Sequence, residues 1–572
     1  MFLLAITKNG IAQNFKSVKI EEFNIHSLKV TIVIDKFLSD FISEPDGFTV
    51  LESPLIPSPN FRNIIFSQIT YQKTKETLTV VKPCMSGRPI YYHISPNGEF
   101  FCSTHISMMR AAGVPIMENT PALPEFFTYR YVMPPKTLYK NINQLISGSE
   151  LLIRLINGKC KIVDEKNYNP FLIKNKEVDT IHSIAENVIN SLDESIKKLQ
   201  SNKERLAVLF SGGLDSSILF KLCQRNYKLN TSYSTGYPFE NQKKNTERKY
   251  AQTAAEAFQI KHNYYMGSTN EYVHGLIEGI SKAEEPLNHL QSAMLFLLFK
   301  KGLPKDKDII ISGYGADSIF GTAHHNYLFH SEKLNMILKF PFIYQLLKYA
   351  PLKTGKGHRL VTAIEKKIIP IRTFDNIVWL FDSYGDGDWV SHYFDIEKND
   401  IIQGHFTRIK AFEDRSIYDV LSILSFFGDD SVTQSIWSKL GESQGKILFY
   451  PYTNVELLNY ASSISWATKL KKPKNILRHV AHQLNIPDFI ITRPKSGFEI
   501  HNKSWAEKGG VLEPLVSPAS KVFDEKQIRK MQSTDPTKAM TFWNMLNYSL
   551  WKRLCINNEP LEILLEELNE TK

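Results

Sequence analysis

An α/β architecture in two parts is what this sequence predicts, and three observations carry the prediction. Residues 1–170 break into short apolar runs separated by turn signals. Near residue 180 the hydrophobic period changes from that of a strand to that of a helix. Beyond residue 200, short apolar runs alternate with helical patterns, which implies a parallel sheet covered on both faces.

In the first part, Leu28 to Ile34 and Thr77 to Val81 read as strands, set off by turns such as Pro45-Asp46-Gly47 and Pro96-Asn97-Gly98. Ile181, Ile184, Val188, Ile189, Leu192, Ile196 and Leu199 then recur at helical spacing, predicting an amphipathic helix over Ile181 to Leu199. The boundary falls in 169–180, where Pro170 and a charged run intervene, giving domains of 1–170 and 180–572. In the second part, Leu206 to Phe210, Asn230 to Ser234, Ile260 to Tyr265 and Asp308 to Ser312 read as strands. Leu214 to Gln224 and Thr246 to Phe258 read as helices. Residues 330–410 are rich in aromatics and lysine without a clear period, and the remainder is mainly helical.

Composition narrows the function classes. Hydrophobic residues make up 42% and charged residues 22%, which is globular. The cysteines, Cys84, Cys102, Cys160, Cys223 and Cys555, are scattered, with no paired spacing. Neither a disulfide framework nor a zinc site is expected, and a reducing, cytoplasmic setting fits. The apolar start is interrupted by Lys8, and the run Ala293 to Phe299 is only core-sized, so neither a secretion signal nor a membrane span is expected. The net charge of +10 raises the question of anionic partners. The lysine runs near 243 and 469 are short and lack interleaved aromatics, so they read as solvated faces.

The chemistry is concentrated in LAVLFSGGLDSSILF, Leu206 to Phe220. An apolar strand runs into Ser211-Gly212-Gly213, and a helix begins at Leu214. Adjacent glycines let backbone approach an anion, and the helix start directs free N–H groups and its positive dipole end at the same place. Ser211, Ser216 and Ser217 add hydroxyl donors, and Asp215 offers a hard oxygen ligand for Mg²⁺. The stretch suits a phosphate chain with its metal, yet it lacks the Gly-Lys-Ser/Thr of the commoner nucleotide loop.

SGGLDSS resembles the pyrophosphate loop of ATP pyrophosphatases, the PP-loop enzymes that split ATP between its α and β phosphates. Ser312-Gly313-Tyr314-Gly315-Ala316-Asp317, Leu123 to Leu151, Gly445 to Tyr460 and Lys471 to Phe498 (ending RPKSGF) are similar, in order, to segments of asparagine synthetases. The resemblance implies an N-terminal Ntn-hydrolase-like αββα sandwich followed by a PP-loop α/β domain with helical additions. It also implies an ATP-dependent carbon–nitrogen ligase that forms AMP. In that family Ser211, Gly212, Gly213, Leu214, Asp215, Ser216, Ser217 and Gly313 would hold ATP, and Asp215 and Asp317 would share Mg²⁺. Ser232 or Ser234 would lie near adenine, and Lys495 would stabilise charge in both chemical steps. Glu285 matches either an acidic pocket position or a helix-end salt bridge.

Two departures shape the expected reaction. Glutamine-dependent members begin Met-Cys, whereas this chain begins Met1-Phe2-Leu3, so glutamine hydrolysis by that route is not expected. Tyr314 stands where ammonia-using synthetases carry Glu, which resembles the β-lactam synthetases, where a Tyr paired with an acid deprotonates the substrate's own amine. Asp429 and Asp430 are the expected partners, with Glu442 behind them. Both departures favour lactam formation, on a small molecule or, as in lasso-peptide cyclases, on a precursor peptide that works with a protease. Ammonia-dependent asparagine synthesis, a nucleic-acid-modifying PP-loop enzyme and a non-catalytic partner protein are the competing readings.

Overall fold

The computed structural model of the protein describes residues 2–9, 11, 19–25, 28–34, 39–52, 67–84, 87–167, 179–199, 204–237, 246–322, 325–326, 328–329, 384–406, 416–493 and 503–570. Alternation of apolar side chains builds the first part. The strands are β1 (Phe2–Thr7), β2 (Lys19–Ile25), β3 (Leu28–Ile34), β4 (Ser39–Glu44), β5 (Gly47–Glu52), β6 (Gln68–Gln72), β7 (Thr77–Lys82), β8 (Tyr91–Ile94), β9 (Phe100–Ser103), β10 (Asn143–Gln144), β11 (Ser149–Ile156) and β12 (Lys159–Asn167). They form two six-stranded sheets, ordered β10-β8-β9-β1-β3-β2 and β12-β11-β7-β6-β5-β4, with antiparallel pairings. The two predicted strands are β3 and β7, and the two predicted turns join β4 to β5 and β8 to β9.

Strand β1 shows how the layers divide. Phe2, Leu4 and Ile6 point into a core shared with Val50, Ile69, Leu78 and Val80 of the other sheet. Leu3 and Ala5 point the opposite way, into a core with helices α1 (Ile106–Ala111) and α2 (Leu123–Tyr129). Successive strand residues face opposite sides, so an all-apolar strand belongs between two layers.

Helix α3 (Ile181–Lys197) opens the second part. Thr180 caps it by accepting from the N–H of Ser183, and it ends two residues before the predicted Leu199. Then come β13 (Leu206–Val208), α4 (Leu214–Tyr227), β14 (Thr231–Thr235), α5 (Thr246–Ala257), β15 (Lys261–Tyr265), α6 (Thr269–Ala283), α7 (Gln291–Leu297), β16 (Ile309–Ile311) and α8 (Ala316–Phe320). After residue 416 the structure continues through α9 (Ile417–Leu424), α10 (Ser431–Glu442), β17 (Ile447–Phe449), α11 (Asn475–Gln483) and α12 (Pro536–Trp551).

Strands β13, β16 and β17 pair in parallel, as do β14 and β15. A parallel bridge from Leu209 to Tyr233 joins the two groups, giving the order β15-β14-β13-β16-β17. Ala207, Ile310 and Leu448 face one core, while Leu206, Val208, Ile309, Ile311 and Phe449 face the other. β17 is absent from the sequence-based expectation, which took that region as helical.

The two parts meet over a polar seam. Glu284, just past α6, accepts from the N–H groups of Ile106 (2.8 Å) and Ser107 (3.0 Å) at the start of α1, and from Lys439 Nζ at 2.7 Å. Burial pushes the Glu284 carboxyl up, but Lys439 and His105 outweigh it and hold it at about 2. Arg88 meets Glu442 at 2.9 Å on the same seam.

Candidate active site

Strand order places the site. Running from β13, the chain adds β14 and β15 on one side, then returns to add β16 and β17 on the other. Ligands of open parallel sheets sit beyond the carboxyl ends of the strands at such a reversal. Here that crevice lies between the loop after β13, Ser211 to Gly213, and the loop after β16, Ser312 to Gly315.

The first loop is built as its sequence demands. Gly212 has φ +68°, and a Cβ there would lie 2.6 Å from the Tyr250 carbonyl oxygen. Any side chain would therefore be both strained and blocked. Ser216 Oγ lies 3.2 Å from Ser211 Oγ and donates to the Gly213 carbonyl at 3.1 Å, bracing the bend. Gly213 precedes α4 without a side-chain cap, leaving the helix start with N–H groups to offer a ligand. Among the described residues, Ser217 Oγ is buried without a hydrogen-bond partner.

Asp215, on the first turn of α4, and Asp317, on α8, converge on one cation. Lys474 Nζ pairs with Asp215 Oδ2 and lies 3.0 Å from Asp317 Oδ1. Burial pushes the Lys474 ammonium down, but Asp215 and Asp317 outweigh it, and it stays charged. Gly313 completes the approach, since a Cβ there would stand 3.5 Å from Ser216 N and 3.6 Å from Asp215 Cβ.

One residue on, Tyr314 starts a second group of side chains. Its ring packs on Trp437, with centroids 4.8 Å apart. A π-helical turn, Ser425–Asp430, links α9 to α10 and carries both expected acids. It aims them differently. Asp429 receives Asn288 Nδ2 at 3.3 Å, lies 3.2 Å from His289 Nε2 and 3.8 Å from Arg130, whose guanidinium stacks 3.5 Å from the Tyr384 ring centroid. Asp430 accepts from Ser318 of α8. Burial pushes the Asp429 carboxyl up, but His289, Arg130 and Asn288 outweigh it and hold it at about 2. Burial pushes the Tyr314 phenol well above its ordinary value, and Asp429 and Asp430 push the same way.

Several expected residues behave differently in place. Glu442, the reserve candidate after the two aspartates, sits on the seam with Arg88 of the strand-rich part. Glu285 accepts from Tyr91 of β8 and belongs to the same seam. Ser232 and Ser234 both lie 2.9 Å from one imidazole, at Nδ1 and Nε2 of His262. Burial and Arg248 lower that imidazole to about 4. The lysine run near 469 is only partly solvated. Lys471 and Lys472 are exposed, but Lys469 is buried with its ammonium 4.2 Å from the Trp466 ring, and Lys474 is the cation between Asp215 and Asp317. A charge run conceals a buried member because its neighbours look alike. Lys495 lies outside the described residues, two positions beyond Arg493, whose guanidinium approaches the Ser211 carbonyl at 3.5 Å and pairs with Glu247.

The sequence reading also missed Arg130, Asn288 and His289. The last two lie in the link from Glu284 to Leu290 between α6 and α7, where nothing in the sequence sets them apart from the other polar residues there. Among the cysteines, Cys84, Cys160 and Cys555 are pushed up to about 12 by burial, and burial raises Cys102 and Cys223 as well. Thiols so placed are inert.

Comparison with known families agrees with this geometry. The asparagine synthase family model matches residues 187–553, the part that holds the crevice. The chain belongs to the asparagine synthase family. A glutamine amidotransferase domain model matches residues 62–167 of the strand-rich part. Among curated relatives, the Bacillus subtilis (strain 168) asparagine synthetase [glutamine-hydrolyzing] 1 is 21% identical over 452 residues, spanning 77% of this chain and 68% of that protein. A putative asparagine synthetase [glutamine-hydrolyzing] of Mycobacterium tuberculosis (strain ATCC 25618 / H37Rv) is 21% identical over 471 residues, spanning 78% and 69%. The fold is thus the expected Ntn-hydrolase-like sandwich followed by a PP-loop α/β unit. Among the described residues no helix is long and apolar enough to cross a membrane.

The residues present fit a metal–nucleotide. Among the described residues, Asp215 Oδ1 is buried without a hydrogen-bond partner, and the Lys474 ammonium already occupies the place between two carboxylates that a cation would take. Among the described residues there is no cluster of three or more His, Cys, Asp or Glu side chains suited to a metal. Mg²⁺ is typically held by one or two carboxylates plus substrate phosphates, which is what this donor set offers.

Proposed function

We propose that this protein is an ATP-dependent amide synthetase that activates a carboxylate as its adenylate, releasing pyrophosphate, and then joins it to an amine. The observation that carries the reading is the convergence of Asp215 and Asp317 on one cation across the strand reversal, with Tyr314 three residues before Asp317. ATP with Mg²⁺ supplies the activating phosphoryl chemistry when bound. Ser211 to Ser217 and Gly313 bind its phosphates, Asp215 and Asp317 hold the metal, and Ser232 stands on the adenine side. Lys474, once released from the two aspartates, is a cation within reach of the departing pyrophosphate, and Lys495 serves the acyl centre.

The amine belongs on the Tyr314 side, with Asp429 and Asp430. The phenol in place of a carboxylate, and the inert thiols of the N-terminal domain (residues 1–170), support an amine carried by the substrate itself. The product is then a lactam, on a small molecule or on a precursor peptide delivered with its protease. Ammonia as the amine is the second reading, favoured by the asparagine synthetase names of the relatives.

The test is ATP–pyrophosphate exchange with a panel of amino acids, diacids and peptides. An acid that drives exchange and yields AMP with an amide product supports the proposal. Absence of acid-dependent exchange across the panel sinks it.

A further inference from the structure

On the amine side the side chain best arranged to accept a proton is neither of the two expected acids nor Tyr314. His289 follows α6 by a short link and presents Nε2 at 3.2 Å from both oxygens of Asp429. Among the described residues, its Nδ1 has no hydrogen-bonding partner. The side chain keeps 18% of its surface exposed, so the imidazole is reachable while its Asp429 edge is fixed. Asp429 is itself held by Asn288, which also donates to Thr433 at 2.6 Å, and by Arg130 at 3.8 Å. An ionised carboxylate can only accept, so it keeps the proton on Nε2 and leaves the lone pair on Nδ1. This is the orienting logic of an acid behind a histidine base, built from different elements.

We infer that His289, oriented by Asp429, is the proton acceptor for the amine in the amide-forming step, and that Tyr314 acts as a hydrogen-bond donor beside it. The inference rests on the synthetase reading above. In the step, the amine nitrogen attacks the acyl carbon and a C–N bond forms. The bond from that carbon to the AMP phosphate oxygen breaks, and AMP leaves with the electron pair. The proton shed by nitrogen passes to Nδ1 of His289, the resulting imidazolium rests against the Asp429 carboxylate, and the proton then returns to water.

The other ionisable groups around the imidazole fit this division. Arg130 comes from the strand-rich part and Tyr314 from the loop after β16, while Asp430 is turned away to Ser318. A partly buried phenol close to the Asp429 carboxylate keeps its proton, which suits donation and not acceptance.

The experiment uses the full chain with the same panel of amino acids, diacids and peptides as acids, with ammonia added as amine for those that carry none. His289→Gln is expected to lose amide formation by about 10²–10⁴-fold while ATP–pyrophosphate exchange holds. Asp429→Asn is expected to lose less and to move the pH profile of the amide step. Separately, nitrogen-15 NMR of histidine-labelled protein, with the signal assigned by its loss in His289→Gln, reads the tautomer. Protonated Nε2 with bare Nδ1, altered in Asp429→Asn, supports the inference. Undiminished amide formation by His289→Gln, or a proton resident on Nδ1, overturns it. If the unmutated protein shows no exchange with any acid, it is the synthetase reading that fails, and the tautomer decides the dyad alone.

Discussion

On the proposed reading the crevice has a phosphate side and an amine side, and the two are made in opposite ways. The phosphate side is nearly one contiguous stretch, Ser211 to Ser217, folded by a glycine bend at a strand end and braced by its own serines. The amine side is gathered from Arg130, Asn288, His289, Tyr314, Asp429 and Trp437, which apart from the neighbours Asn288 and His289 come from separate segments that the fold brings together. A contiguous loop stands or falls as a unit, whereas a gathered pocket can lose one member and keep a share of its effect. The difference can be measured.

Beyond the His289 substitution, the largest effect is expected at Asp215→Ala, which removes one of the two carboxylates around the cation. Acid-dependent ATP–pyrophosphate exchange should fall by about 10³-fold, and unchanged exchange would break the comparison at its root. Tyr314→Phe should be smaller and selective. Amide yield per AMP released should drop by about 10²-fold with exchange retained, because only a hydrogen bond to the reacting centre is lost. Smaller again is Arg130→Lys, which keeps the charge but loses the planar stack on Tyr384. We expect a reduction of about tenfold in the amide step, with Arg130→Met worse. Equal rates for the three proteins would show that the seam contributes nothing to the pocket.

The smallest effect concerns stability on the phosphate side. His262 is lowered to about 4 in the fold, by burial first and Arg248 second, against an ordinary value near 6.5. Between those values the unfolded chain takes up a proton that the fold refuses, so stability is intact above about pH 6.5 and declines as pH falls toward 4. Thermal melting across that window should show the decline, and His262→Gln should flatten it.

How much of this the sequence revealed follows the same division. The glycine bend, Asp215, Asp317 and the strand alternation were legible because each is local: a buried run, a turn and a helix start lie side by side in the chain. β17 was not legible, since three apolar residues between helices carry no period. Lys474 was hidden in a basic run, and only the approach of α4 and α8 distinguishes it from Lys471 and Lys472. Asp429 and Asp430 were found as a pair but not told apart. Adjacent residues on a helix diverge in direction, and the π-helical turn fixes which carboxylate meets His289 and which meets Ser318. His289 had no sequence signal beyond its polarity.

The guanidinium at Asp429 has a consequence for the history of the chain. It is donated by the β-sandwich, from a residue with φ 69° just beyond α2. On the proposed reading, excising the sandwich would open one wall of the amine pocket, so selection for amide formation would be enough to preserve it, whether or not it performs any reaction of its own.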